Sequence, residues 1–344
     1  MTSNPVLAEA LRGGIVESFH CGALAVVDAA GTVHTALGDI ERPIFPRSAA
    51  KLLQALPLVA SGAADALGLG NEELALACAS HGGEAAHVRT AAGMLAKAGL
   101  DVGALECGTH WPYNEAAQRA LARADTAPGA LHNNCSGKHA GFVCLGCAMR
   151  GDTDPAAFVR GYVHPDHPVM RDVTAALQAT TGFDLAATAR GTDGCSIPTY
   201  AIPLRHLAQA FARVATGQGL APDHAKAAAR LRRAIAAAPF MVGGSGRLDT
   251  RLMQHFGERV CCKVGAEGVY CAALPTLGLG LAIKMDDGNT ARAAEVVLAA
   301  LLHQLLRAEG ADAEFLRGIW DAPLRNWNGI EVGRLRATAP WLSA

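Results

Sequence analysis

Strand-like segments stand near both ends of this chain and helical patterns fill the stretch between them, so a sheet can form only by bringing the two ends together. Alternation marks strands over residues 14–20, 22–28 and 33–38. Short apolar runs bounded by Gly or Asp mark further strands over 259–265, 268–274 and 277–285. A closing helix follows over 291–307, with Val297, Leu301, Leu302 and Leu305 on one face. Helices are expected in between over 48–61, 72–79, 84–98, 114–124, 164–180, 204–216 and 222–238. The pattern predicts an α/β fold of the α+β kind: one mostly antiparallel sheet from both chain ends, with helices and an inserted helical lobe. The chain reads as a single unit, 1–344, with a sheet region at 1–45 and 255–344 and a helical lobe at about 46–254.

Charge narrows the class of partner. Lys plus Arg (30) nearly balances Asp plus Glu (31), so no strong field points to nucleic acid or to an anionic membrane. Aromatic content of 5% argues against stacking platforms for single strands. An uncharged or zwitterionic small molecule fits better. No apolar run approaches the ~18 residues of a membrane span, and residues 1–14 lack the pattern of an export signal. A cytoplasmic protein is therefore expected, its ten cysteines read as reduced thiols.

Chemistry gathers in five places. Arg47-Ser48-Ala49-Ala50-Lys51 follows Pro46, and a helix opening there puts Lys51 on the same face as Ser48. A serine hydroxyl needs a base, and a lysine serves only as a neutral amine, which burial, a second cation or a helix start would favour. Alone, Ser-x-x-Lys is a pattern that any helix offers by chance. Ser80-His81-Gly82-Gly83 lies between two helical patterns and reads either as a capped turn or as a cleft holding the Ser80 hydroxyl.

The run from His132 to Phe142 is the strongest single signal. Its amides, imidazoles, thiol and ammonium are costly to bury for packing alone. They precede an apolar helix expected to start near His139, a natural place to hold a carboxylate or oxyanion. In Thr192-Asp193-Gly194-Cys195, Asp193 suits a cationic group and Cys195 can join Cys135 as a soft metal ligand, with Lys138 or His139 to complete the set. Two thiolates alone do not establish zinc. The Cys144/Cys147 pair falls in an apolar helical pattern and reads as core. Lys263-Val264-Gly265 puts a lysine on a late strand beside a glycine that admits close approach, and Gly243–Arg247 offers backbone donors and a guanidinium suited to a carboxylate.

Together these motifs resemble the bacterial L-asparaginase II family of rhizobial type, the class 3 L-asparaginases, through nearly the whole chain. The resemblance implies hydrolysis of L-asparagine to aspartate and ammonia through a Ser–Lys nucleophile and an acyl-enzyme. It implies a fold like that of serine β-lactamases and serine–lysine glutaminases, and a homodimer. Ser48 with Lys51, and Ser80 with Lys263, match the family's two catalytic pairs. Cys135, Lys138 and Cys195 match its zinc site, one ion per chain, which assists substrate placement more than attack. Arg47, Asn134, His139, Asp193 and Arg247 are our own assignments for holding the amino acid.

Other readings stay open. Glutamine differs from asparagine by one methylene, worth only ~1–3 kcal/mol in a pocket. A β-lactamase-like hydrolase would share the Ser-x-x-Lys and Lys-x-Gly elements. A zinc- or amino-acid-binding regulator would bind without turnover.

Overall fold

The protein is described here over residues 4–338 of a computed structural model. Its strands are β1 (Val6–Arg12), β2 (Ile15–Asp28), β3 (Val33–Leu37), β4 (Pro43–Ile44), β5 (Arg190–Thr192), β6 (Pro198–Tyr200), β7 (Ile202–Pro203), β8 (Cys261–Val264), β9 (Val269–Leu274), β10 (Leu279–Met285), β11 (Asp321–Arg325) and β12 (Glu331–Ala337). Eight of them form one sheet in the order β11-β12-β1-β2-β10-β9-β8, with β3 also on β2, and every pairing is antiparallel. The α+β architecture expected from the two ends is the one observed, with helices filling the stretch between the two strand groups.

Three boundaries differ from expectation, each for a physical reason. The strands read as 14–20 and 22–28 are one 14-residue strand, β2. Gly22 lies within it because a Cβ there would meet the Lys284 carbonyl oxygen at 2.6 Å. The helix read over 48–61 is broken into a 3₁₀ turn, Arg47–Ala50, and two short helices, Lys51–Gln54 and Leu56–Ala60. Pro57 has no N–H to continue the ladder and sits in the first turn of the second piece, where none is needed. The helix expected to close the chain does not. After Glu295–Leu305 come a helix, Gly310–Trp320, and the strands β11 and β12, the latter pairing with β1.

Helix Leu204–Thr216 packs on β10, β2 and β9. Its backbone approaches so closely that a Cβ on Gly280 would meet the Ala208 oxygen at 2.1 Å. Glycine is what lets this helix settle on the sheet. Among the described residues no helix is long and apolar enough to cross a membrane, and all ten cysteines are free.

Candidate active site

The turn that carries Ser48 is strained at its first residue. Arg47 adopts φ 51°, a left-handed conformation uncommon for a residue with a side chain. Ala49 and Ala50 are buried behind it, and the end of β8 abuts the turn: a Cβ on Gly265 would meet the Pro46 oxygen at 2.5 Å and the Ala49 Cβ at 3.2 Å. Gly265 thus brings the late strand within van der Waals reach of the Ser48 turn. Lys51 closes the turn, its N–H bonded to the Ser48 carbonyl.

Lys51 is 1% exposed, and its ammonium donates to Ser80 Oγ at 2.9 Å, to the Ala79 carbonyl at 2.5 Å and to Cys135 Sγ at 3.0 Å. Among the described residues no hydrogen bond joins it to the Ser48 hydroxyl. The predicted pairing is therefore rearranged, since Lys51 serves Ser80, while Lys263 donates to the Val264 carbonyl at 2.8 Å and lies 3.5 Å from Asp249. Burial pushes the Lys263 ammonium down to about 8, against the pull of Asp249.

Long-range backbone bonds place Ser80. Its N–H donates to the Val242 carbonyl at 2.9 Å, and the next N–H, of His81, donates to the Asn134 carbonyl at 3.2 Å. His81 is fully buried and takes the Gly83 N–H on Nδ1, so Nε2 carries the proton and donates to Ser136 Oγ. Burial holds this imidazole neutral by lowering its proton affinity, with His87 and Lys51 adding to the effect.

The His132–Phe142 run folds mostly inward. Its helix starts at Ser136 rather than near His139. Cys135, Lys138 and His139 are all buried, and Lys138 Nζ donates to Cys195 Sγ at 2.9 Å. The Cys195 thiol beside it, together with Lys51 and Lys138, lowers the proton affinity of Cys135 despite burial. The Cys135 sulfur and burial raise that of Cys195. Burial opposes the Lys138 charge, but the Cys195 and Cys135 sulfurs outweigh it and raise its proton affinity. Cys135, Lys138 and Cys195 are thus brought together as expected. Among the described residues no three His, Cys, Asp or Glu side chains could hold a metal ion. Two thiols and one amine are nonetheless a donor set that suits zinc, provided the lysine gives up its proton.

The substrate-holding residues fare unequally. Asn134 and Arg247 line a cleft of about 470 Å³ with Ser48 and Ser80. Arg47 and Asp193 pair at 2.7 Å, and Arg47 borders a neighbouring cavity with Phe45 and Thr192. His139 is turned away: its Nδ1 meets the Tyr162 hydroxyl at 2.6 Å and its ring packs against Phe142, so it cannot touch a substrate in the cleft.

Tyr113, Arg251 and Glu295 also line the cleft, and none of them was singled out from the sequence. Tyr113 precedes the helix that Asn114 caps, and its ring stacks on His110. Glu295 looked like an ordinary acidic residue within a helix. The Gly-rich loop is pinned by Glu84, which accepts from the Ser245 N–H at 2.8 Å and its hydroxyl at 2.6 Å.

Two serines thus line one cleft, and a buried lysine is bonded to one of them. A model of the L-asparaginase II family matches residues 8–337, nearly the whole chain, and the protein belongs to that family. No curated protein matches the chain. A solved structure described as Mglu in its tris and glutamate form is similar at 15% identity and a TM-score of 0.37, covering 88% of this chain. The match spans 63% of that protein, so this chain corresponds to less than two thirds of its length.

Proposed function

We propose that the protein hydrolyses L-asparagine to L-aspartate and ammonia, with Ser48 as nucleophile. The observation that carries this reading is the meeting of Ser48, Ser80, Asn134 and Arg247 in one cleft, with Lys51 bonded directly beneath Ser80. Ser48 attacks the side-chain amide carbon. Its proton passes to Lys51, directly or through Ser80, whose hydroxyl is already in contact with that amine. The Ser48 N–H, in the first turn of the 3₁₀ segment, suits the oxyanion. Ammonia leaves with the proton that Lys51 took from Ser48, returned through Ser80 beside the charged Lys263, and water then cleaves the ester, returning the Ser48 hydroxyl. Arg247 suits the substrate carboxylate.

Cys135, Lys138 and Cys195 would hold a zinc ion, which when bound would supply a fixed positive charge that orients the substrate. Exposed Ile15 and Phe19 on β2, with Trp327 and Ile330 between β11 and β12, support a homodimer. The test is ammonia release from asparagine and glutamine side by side. Release from asparagine at the higher kcat/KM supports the reading, and release from neither overturns it.

A further inference from the structure

Lys263 is 2% exposed, and behind it stands a second buried charge that no role in the cleft accounts for. Asp249, also 2% exposed, lies on helix Leu248–Phe256, next to Leu248 of the cleft wall. One carboxylate oxygen accepts from the Tyr270 hydroxyl and from Cys262 Sγ at 3.8 Å. The other accepts from the Val264 N–H at 3.3 Å and lies 3.5 Å from Lys263 Nζ. A hydrophobic pair of similar volume would pack this spot at no electrostatic cost, whereas a buried ion pair must offset its own desolvation. Such a pair beside a reaction cleft points to chemistry.

We propose that Asp249 is the positioning residue for Lys263: its carboxylate, braced by the Tyr270 hydroxyl and the Val264 amide, fixes the lysine beneath the cleft and sustains its positive charge. The proposal rests on the reading of Lys263 as part of the amide-cleaving machinery. The charged and titratable groups that face Lys263 include Asp249 from its helix, Lys51 from the Ser48 turn, Arg247 and Cys135, with the buried thiols Cys78, Cys262 and Cys271. Asp249 is faced in turn by Tyr270 and Cys262 from the sheet and by Glu295.

The test is the pH dependence of kcat and KM for ammonia release by the full chain and by its Asp249→Asn and Asp249→Glu variants. Without the carboxylate, the Lys263 ionisation near pH 8 should move to lower pH by ~1–3 units, the range for a charge partner at close quarters. At fixed pH, kcat should fall more than KM rises, and Asp249→Glu should bring the profile back toward that of the parent. An unchanged profile in Asp249→Asn overturns the proposal.

Should that variant fold poorly, the double variant Asp249→Asn/Lys263→Met decides, its folding and melting compared with those of the parent and of each single variant. Positioning predicts that the double variant melts higher than Asp249→Asn alone. An equal loss in both backgrounds would assign Asp249 to Tyr270 and Val264 only, and would overturn the proposal. A parent protein that releases no ammonia defeats the reading of function, while the unfolding cycle still reports whether the two charges are coupled.

Discussion

The Lys51 ammonium stands 2.9 Å from Ser80 Oγ and 3.0 Å from Cys135 Sγ, so one buried cation joins the second serine of the cleft to a thiol of the Cys135–Lys138–Cys195 cluster. In Lys51→Met, ammonia release should fall by ~10²–10⁴-fold, the usual contribution of a general base. In Ser80→Ala the loss should be smaller, because Lys51 keeps its bonds to Ala79 and Cys135. Steady-state kinetics on the two variants would contradict this if Lys51→Met turned over at the parental rate.

Gly265 ties the sheet to the Ser48 turn. Gly265→Ala must push the Pro46 carbonyl or β8 aside, at a cost of ~1–3 kcal/mol for overpacking. Thermal unfolding should show a fall of several degrees, and kcat should drop with it. An unaltered melting point and rate would mean that the close approach has no consequence.

The depressed proton affinity of Lys263 makes a prediction about stability. Below pH 8 this lysine is charged in both the folded and the unfolded chain. Between about 8 and 10.5 the folded form has released the proton that the unfolded form still binds, so stability rises with pH in that window. Denaturant unfolding should show the parent gaining on Lys263→Met by about 3 kcal/mol across it. A difference that stays flat or shrinks would contradict the burial argument.

Metal content tests the two-thiol site. Zinc bound by the purified protein should be lost in Cys195→Ser and restored by no added metal at stoichiometric level, as read by elemental analysis. A variant that keeps one zinc per chain would rule Cys195 out as a ligand. Removal of the ion by a chelator should raise KM for asparagine more than it lowers kcat.

Strands with two buried faces or clean alternation were legible, as in β9, whose six residues are all buried. β1 and β12 were not, because β12 buries only Leu335 and Ala337 and β1 buries mainly alanines, so their register with each other defines them more than an apolar run does. The site was legible wherever residues adjacent in sequence carry the chemistry, as in Ser48–Lys51 and Cys135–Lys138. What the sequence could not supply was the partner of each lysine. Lys51 reaches Ser80 only because Val242 and Asn134 hold that segment from far along the chain. Asp249 stands 14 residues before Lys263 and meets it only when helix Leu248–Phe256 folds against β8.

Ser48 is the centre of this account, and its replacement is the most direct test. Ammonia release from L-asparagine should be measured for the parent and for Ser48→Ala, with folding checked by circular dichroism. The account predicts an intact fold and a rate reduced by about 10³-fold or more, as for loss of a nucleophile. A folded Ser48→Ala protein that releases ammonia at a near-parental rate would contradict it.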